Sequence, residues 1–434
     1  MAGKNEASKR TAGNPRASNP WAVNLRGLVP IFSADAIVRT AYQMGKAPVL
    51  PIFAAMLGAT DLLLGLVVSV STLTGILVKP VIGFVSDNQG RRRWLLIAAF
   101  LFIAMPFAYP FVHTPGQLFA LRMVHGLATA IFGPVSLAFV AEMATQGRAT
   151  RMGIFGIGRS VGYLLAPVSA AFLLTQMTPQ TLFMLTGAIA ALALLPIFAL
   201  EARRENIPAQ NAHQAVSTKY RGTMSGLFGC FRGWIAALAN ALLQVSQRPA
   251  LWVAGGLEMM VNTASYAVRA FLPLHIIAAS QGNYAIVLAG LFFSIQEASH
   301  LLIRPIGGMA ADRFGRMLVI WGGMILMALG LFLLPYLTGD RVIVGAMILG
   351  AAQAFIFPAC LAMIADQTGN GVGAGMGVYG ALRNLGKGLG PVIAGLILLV
   401  GSFDHVLLAA GSLLLAAAFG GGLLMVSTRR SPAP

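Results

Sequence analysis

Long apolar segments constrain the fold of this chain more than any other feature of its sequence. Twelve of them, each about 20–30 residues long, are long enough to cross a ~30 Å hydrocarbon core as helices. The chain is 57% hydrophobic and 10% charged, whereas soluble domains carry about 25% charged residues. We therefore expect an all-α membrane protein with twelve transmembrane helices. The predicted segments are residues 27–56, 61–86, 94–113, 117–145, 149–176, 179–200, 250–279, 283–312, 317–337, 341–366, 370–400 and 402–427.

An internal repeat divides the chain into two similar halves. Residues of the fourth and fifth segments recur in the tenth and eleventh at a constant offset of 224 residues. The matched pairs are Pro134 and Pro358, Glu142 and Asp366, Arg159 and Arg383, Gly162 and Gly386, and Pro167 and Pro391. This repeat predicts two pseudo-symmetric six-helix halves with the same orientation, and a transport pathway on the axis between them.

The repeat also sets the expected domain boundaries. We predict a flexible tail at 1–26, a first half at 27–200, a cytoplasmic linker at 201–249, a second half at 250–428 and a tail at 429–434. Apolar residues at helical spacing between 222 and 249 suggest an interfacial helix within the linker. An ordinary connector with one apolar side is the simpler interpretation of the same stretch.

The distribution of basic residues predicts the orientation. The formal net charge is +17, but most of the 30 Lys and Arg residues lie in the termini and in alternate loops, and Arg341 alone lies in the opposite set. This asymmetry places both termini and the linker in the cytoplasm and argues against a nucleic-acid partner. Two cysteines, Cys230 and Cys360, offer neither a disulfide framework nor metal-ligand spacing, so we expect no metal and no cofactor.

A basic turn joins the second and third segments and returns in the second half. It reads Gly83-Phe-Val-Ser-Asp87-Asn-Gln-Gly90-Arg91-Arg92-Arg93, and then Gly308-Met-Ala-Ala-Asp312-Arg-Phe-Gly315-Arg316. This repeated motif resembles the major facilitator superfamily of secondary transporters, in particular its twelve-helix exporters of drugs and metabolites. The resemblance covers residues ~25–428 and implies a family of membrane proteins, not enzymes.

In that family the motif is understood as a conformational latch. The resemblance implies this role for residues that reach the cytoplasmic rim, where ion pairs could hold one conformation and break in another. They are Gly83, Asp87, Gly90, Arg91, Arg92, Glu142, Gly308, Asp312, Gly315, Arg316 and Asp366. The second copy departs from the pattern at Met317, where a second basic residue is usual, which predicts a weaker latch there.

Charged residues inside the segments are functional candidates, because a charge at the bilayer centre costs about 2.5–3.5 kcal/mol on insertion scales. Asp35 and Arg39 are four residues apart and share a helix face. Asp35 could carry a proton, or the two could form a static structural pair. Proton-coupled members of the family often carry a titratable acid on the first helix.

The stretch from Leu121 to Gly126 resembles the family's fourth-helix signature, in which an arginine precedes a glycine by four residues. The resemblance implies a role in proton coupling or substrate binding for Arg122. Alternatively, Arg122 lies near the outer rim and extends its charge to the interface. His125 fits a hydrogen-bonded structural residue better than a proton relay.

Glycines and prolines of the fifth and eleventh segments predict tight helix crossings and local breaks. The packing residues are Gly126, Gly158, Gly162, Pro167, Gly386, Gly390 and Pro391. In the family, a Gly-x-x-x-Gly-Pro stretch on the fifth helix marks antiporters. Here the eleventh segment has this pattern, whereas the fifth segment has Ala166 where the glycine before Pro167 is expected. We expect three polar residues of these segments to face the cavity: Arg159, Arg383 and Asn384. Alternatively, the two arginines form interhelical salt bridges.

The seventh segment has one polar face, because Glu258, Asn262, Tyr266 and Arg269 are spaced by four, four and three residues. Polar faces on membrane helices line a cavity or contact a partner. We expect Asn262, Tyr266 and Arg269 to line the cavity, and Glu258 to bind a proton or cation. In the eighth segment, Glu297 and His300 share a face and are further candidates for proton coupling.

These patterns predict a monomeric secondary transporter in a bacterial inner membrane, with a small-molecule substrate, protons and the bilayer as its partners. The preferred mode is proton-coupled efflux by antiport. The alternative is uptake or facilitated transport of an anionic metabolite or metal chelate, favoured if Arg159 and Arg383 bind substrate. A remote alternative is a transporter-like sensor or scaffold acting through residues 201–249. No nucleophile or phosphate-loop motif indicates an enzyme.

Overall fold

The computed structural model describes residues 28–142, 148–200, 249–280, 282–368 and 372–429. Within these ranges the chain is α-helical without strands, as predicted. The first half contains α1 (Val29–Lys46), α2 (Val49–Met56), α3 (Asp61–Gln89), α4 (Arg91–Ala108), α5 (Pro115–Glu142), α6 (Arg148–Leu174), α7 (Pro179–Ala191) and α8 (Leu194–Ala199). The second half contains α9 (Pro249–Ala279), α10 (Gly282–Phe314), α11 (Arg316–Leu333), α12 (Val342–Thr368), α13 (Val372–Leu398) and α14 (Phe403–Arg429).

Two predicted segments are each broken into two helices. The segment 27–56 divides at Ala47 and Pro48 into α1 and α2, since proline supplies no backbone N–H to continue the helix. The segment 179–200 divides at residues 192 and 193 into α7 and α8. The predicted linker 201–249, with its possible interfacial helix and Cys230, and most of both tails lie outside the described residues.

The basic turns are shorter than the sequence suggested. Arg91 to Arg93 form the first turn of α4, so a single residue, Gly90, separates α3 from α4. Gly315 likewise separates α10 from α11. Both glycines have positive φ, 88° and 91°, a backbone conformation that a side chain would strain.

The two halves repeat the same packing pattern. In the first half α1 packs along α6 and α3 along α5; in the second half α9 packs along α13 and α10 along α12. Contacts between the halves also come in an equivalent pair, α3 with α13 and α6 with α10. These four elements therefore form the seam around the central axis.

Small residues allow the two halves to meet closely at one end of the molecule. A Cβ added at Gly65 of α3 would lie 2.2 Å from the carbonyl oxygen of Pro391 in α13. One added at Gly290 of α10 would lie 2.6 Å from the carbonyl oxygen of Pro167 in α6. Because Gly65 and Gly290 are early in their helices, this end is opposite the turns at Gly90 and Gly315.

Within each half, the predicted packing glycines also lie against neighbouring helices. Gly158 and Gly162 of α6 lie against Phe32 and Thr40 of α1. Gly386 and Gly390 of α13 lie against the Met259 and Thr263 carbonyls of α9, and Gly126 of α5 lies against Ser71 of α3. Pro167 and Pro391 are inside α6 and α13.

Eight helices in the described residues are long and apolar enough to cross a membrane. The segments that miss this criterion are those of α1, α6, α9 and α13. Asp35, Glu258 and Arg383 lower the hydropathy of α1, α9 and α13, whereas the described apolar part of α6, Gly158–Leu174, is only 17 residues long. The chain is an integral membrane protein, and twelve membrane crossings remain the prediction from its sequence.

Candidate functional site: a central cavity between the halves

A central cavity with two adjacent lobes lies between the halves. The larger lobe has a volume of about 360 Å³ and lies mainly against α1, α3 and α5. The smaller lobe has a volume of about 270 Å³ and lies mainly against α9, α10 and α12. Arg39, Arg159, Tyr163, Tyr266 and Lys387 line both lobes, which makes them the junction.

The cavity wall is strongly basic. Eight cationic side chains line the two lobes: Arg39, Lys46, Lys79, Arg159, Arg269, Arg304, Arg383 and Lys387. The carboxylates among the lining residues are Glu258 and Glu297, both in the smaller lobe. Asp35 lies behind the wall and is 1% exposed. The cations outnumber the acids, so the cavity presents a positive potential to a solute.

An ion-pair cluster in the first half is built around Asp35. The Arg39 Nε lies 2.8 Å from Asp35 Oδ2, as the predicted spacing of four residues allows. Arg159 of α6 donates from Nε and from Nη2 to the two carboxylate oxygens, both at 3.2 Å. Ser136 Oγ donates to Oδ1 at 3.1 Å. Asp35 is therefore surrounded by two guanidinium groups and a hydroxyl.

The second half has a similar but sparser cluster around Glu258. The Arg383 Nε of α13 lies 3.4 Å from Glu258 Oε1, and Asn262 Nδ2 donates to the same oxygen at 3.0 Å. The other oxygen, Oε2, is buried and forms no hydrogen bond of good geometry with the described residues, although the Tyr379 hydroxyl lies close to this carboxylate. Both predicted cavity arginines, Arg159 and Arg383, thus form interhelical salt bridges while also lining the cavity.

Aromatic rings support several of the cations. Tyr266 lies beneath three of them, with the nitrogen of Lys46 at 5.5 Å, that of Lys387 at 5.2 Å and the guanidinium carbon of Arg269 at 5.6 Å from its ring centroid. The Phe357 ring centroid lies 4.7 Å from the guanidinium carbon of Arg304 and 4.6 Å from that of Arg383. Cation–π contacts of this kind contribute about 0.5–2 kcal/mol each and hold the charges in place.

The other predicted site residues of the second half also reach the cavity. Glu297 and His300 line the smaller lobe and lie 3.5 Å apart, from His300 Nδ1 to Glu297 Oε1. Asn262 lines the smaller lobe and Asn384 the larger one. The structure therefore brings the predicted polar faces of α9 and α10 to a single site.

Arg122 lies behind the cavity wall and does not line either lobe. It is 1% exposed, so the alternative in which it extends to the interface is wrong. Its guanidinium donates to the Tyr42 and Tyr109 hydroxyls at 3.3 and 3.4 Å and to Ser71 Oγ at 2.9 Å. His125 Nδ1 lies 3.2 Å from the Tyr109 hydroxyl, in agreement with a hydrogen-bonded structural residue. Arg122 thus orients Tyr42, which does line the larger lobe.

The predicted latch residues lie around the turns at Gly90 and Gly315. Arg92 Nη2 donates to the Phe198 carbonyl of α8 at 3.0 Å, and Arg316 forms an ion pair with Asp366. Asp312 is exposed and Gly308 has open space where a side chain would be. The side chains of Asp87 and Glu142, and the surroundings of Gly83, are outside the described part of the chain.

Several cavity residues were not among the predicted site residues. Lys46, Lys79, Arg304 and Lys387 line the cavity, and Phe357 holds two guanidinium groups. The signal available in the sequence was the presence of a basic residue inside an apolar segment, which is costly unless it faces water or a partner. Lys79 in α3 carries that signal as clearly as Arg39 does.

The fold and the cavity define a class: two similar helical halves around a polar central cavity are the architecture of a secondary transporter. A family model described as the Major Facilitator Superfamily matches residues 36–295 and 251–434. The chain belongs to this superfamily.

Characterised and uncharacterised relatives agree with that assignment. The MFS-type transporter YuxJ of Bacillus subtilis, described as uncharacterized, is 26% identical over 339 residues, covering 77% of this chain and 80% of its own length. The multidrug resistance protein MdtG of Klebsiella pneumoniae is 22% identical over 355 residues, covering 80% and 81%. The chain is a membrane transporter and not an enzyme.

Solved structures show the same fold. The nucleoside transporter NupG superposes with a TM-score of 0.72 at 14% identity, covering 92% of this chain and 99% of NupG. A D-xylose-proton symporter superposes with a TM-score of 0.66 at 17% identity, covering 91% and 95%. At these identities the likeness concerns the fold alone.

Proposed function

We propose that this transporter carries a small organic anion, coupled to protons, by alternating access across a bacterial inner membrane. The observation that supports the anionic substrate is the basic wall of the cavity, in which eight cations face two carboxylates. Such a field concentrates anions and repels cations of similar size. We place both termini in the cytoplasm, in accordance with the positive-inside distribution of Lys and Arg.

Glu258 is the carboxylate best suited to bind and release the coupling proton. It is 3% exposed, pairs with one arginine and has one oxygen without a hydrogen bond of good geometry, to which a proton can add. Asp35 has two guanidinium partners and a hydroxyl, so both of its carboxylate oxygens already have partners. Glu297 pairs with His300 and is the next candidate.

The electrostatics of the cavity favour binding of the proton and the anion together. Protonation of Glu258 removes a negative charge from the wall and releases Arg383 from its ion pair, so an incoming anion meets a stronger positive field. By linkage, the anion in turn raises the proton affinity of the site. Two ligands that strengthen each other's binding travel in the same direction, so this mode is uptake by symport.

Proton-coupled efflux by antiport is the second candidate. It is favoured by the similarity to MdtG, whose name describes multidrug resistance, and by the Gly386, Gly390 and Pro391 stretch of α13. In an antiporter the substrate and the proton compete for the site, so this mode requires that substrate binding and Glu258 protonation exclude each other.

Proteoliposomes that contain a pH-sensitive dye test the proposal. We would challenge them with size-matched anionic, neutral and cationic compounds and follow internal pH and radiolabelled solute. Anion entry accompanied by acidification of the lumen supports symport, and anion exit that acidifies the lumen supports antiport. Transport confined to neutral or cationic compounds would refute the anionic substrate.

A further inference from the structure

The charges of the cavity indicate how many negative groups the substrate carries, given the anion transport proposed above. Three of the eight cations already have a carboxylate partner. Arg39 and Arg159 pair with Asp35, and Arg383 pairs with Glu258. Their charge is largely compensated by the protein itself.

The remaining five cations form no ion pair with a carboxylate in the described part of the chain: Lys46, Lys79, Arg269, Arg304 and Lys387. All five are partly buried. Four of them rest on the Tyr266 or Phe357 ring. A ring face attracts a cation but carries no net charge, so these contacts do not neutralise the five cations. Glu297 in the smaller lobe lies near Arg269 and Arg304 and offsets part of their charge, which leaves an excess of cations in both lobes.

These five cations are divided between the two lobes. Lys46 and Lys79 line the larger lobe only, whereas Arg269 and Arg304 line the smaller lobe only. Lys387 lines both. A ligand with a single negative group can compensate one lobe and leaves the mutual repulsion within the other lobe in place.

A ligand that reaches into both lobes would place its body beside the residues that line both. Tyr163 lines each lobe, so an apolar or aromatic body placed there would lie beside its phenol ring, while the cations on Tyr266 remain available to the negative groups. The lobes, at about 360 and 270 Å³, are within the usual size range of small-molecule sites, about 300–1,000 Å³ in total.

We propose that the substrate is a small organic dianion whose two negative groups are separated by a short body. One group binds Lys46 and Lys79 in the larger lobe, and the other binds Arg269 and Arg304 in the smaller lobe. Lys387 at the junction contributes to both. Dicarboxylates are the simplest members of this chemical class.

Matched pairs of compounds test the number of negative groups. Butyrate and succinate have four carbons each, and benzoate and terephthalate share one ring, so each pair differs chiefly by one carboxylate. We would measure binding to the purified full-length protein by calorimetry and by thermal stabilisation. The expected result is that each dianion binds at least about tenfold more tightly than its monoanion, a difference of about 1.4 kcal/mol.

Variants of each lobe separate the two groups. Lys46→Gln or Arg304→Gln should reduce dianion affinity about tenfold towards that of the monoanion, since each removes one positive charge from only one lobe. Lys46→Arg, which keeps the charge, should restore it and shows that the variant site is folded. Arg341→Gln removes the same charge from an exposed loop outside the cavity and should leave the dianion preference unchanged.

The outcomes also separate this inference from the proposed function. Equal binding of monoanions and dianions, with anion transport intact, would overturn the two-group substrate and leave the anion transporter standing. If either Lys46→Gln or Arg304→Gln leaves the preference for dianions unchanged, both negative groups of the substrate bind in one lobe. That result would overturn the placement of one negative group in each lobe. Transport of neutral or cationic compounds alone would overturn both proposals.

Discussion

Asp35 pairs with Arg159 of α6 and Glu258 pairs with Arg383 of α13, but the surroundings of the two carboxylates differ. Asp35 accepts from Arg39, Arg159 and Ser136, whereas Glu258 accepts from Asn262 and pairs with one arginine through the same oxygen, Oε1. We therefore predict that Asp35→Asn acts mainly on stability. Breaking one partner of a buried ion pair typically costs about 3–5 kcal/mol, so the melting temperature of the purified protein should fall.

Glu258→Gln should act on coupling instead. The amide keeps the size of the side chain and removes its proton site, so we expect loss of proton-driven accumulation with retained substrate exchange between two equal pools. Melting curves and counterflow assays of the two variants check the contrast. An Asp35→Asn protein of normal stability that lacks proton coupling would transfer the proton role to the first half.

The sequence predicts ion pairs between side chains only where both partners lie close together on one helix. Asp35 and Arg39 are one turn apart, and their pairing follows from helical spacing. The convergence of Arg159 on the same carboxylate could not be predicted, because it depends on how α6 packs on α1. The same holds for Phe357, whose contacts with both Arg304 and Arg383 require the packing of three helices.

At the scale of elements, apolar length located the helices to within a few residues. Apolar length does not predict the helix breaks at Ala47–Pro48 and at residues 192–193, because the hydropathy of a segment is the same whether its helix is continuous or interrupted. The three consecutive charges of Arg91–Arg93 predict a loop, because charged residues usually mark the end of an apolar segment. The positive-φ Gly90 sets the actual boundary, and the helix begins with the arginines.

The close contacts of α3 with α13 give a prediction about conformational exchange. A Cβ at Gly65 would lie 2.2 Å from the Pro391 carbonyl oxygen, so Gly65→Val should prevent the halves from meeting at this end. We expect a cysteine placed in the cavity, such as Ser265→Cys, to become more accessible to a membrane-impermeant thiol reagent from the side of the α2–α3 connection. Transport should fall at the same time.

Gly116→Val is the matched control for that experiment. Gly116 begins α5 at the same end of the molecule, and a Cβ there would meet nothing within 4 Å. Its labelling and transport should resemble those of the unmodified protein. Unchanged accessibility in Gly65→Val would mean that contact between α3 and α13 does not close this end.

At the scale of the whole molecule, the constant offset between Arg159 and Arg383 predicted the duplicated architecture. The structure confirms it through equivalent packing, α1 on α6 and α9 on α13. The charge of the cavity could not be read in the same way. Lys46 and Lys79 come from one half, and Arg269 and Arg304 from the other. Only the assembly of both halves shows that cations outnumber acids around one space.

That excess of cations gives a prediction for pH dependence. If the proton and the anion strengthen each other's binding, the dissociation constant of a bound dicarboxylate should increase as pH rises and the coupling proton is lost, because the Glu258 carboxylate then competes with the anion for Arg383. Calorimetric titrations with succinate across a pH series measure this slope directly. Glu258→Gln should bind with little dependence on pH, at about the affinity of the protonated protein. Tighter binding at high pH would instead show competition between proton and substrate, which is the relation that drives efflux by antiport.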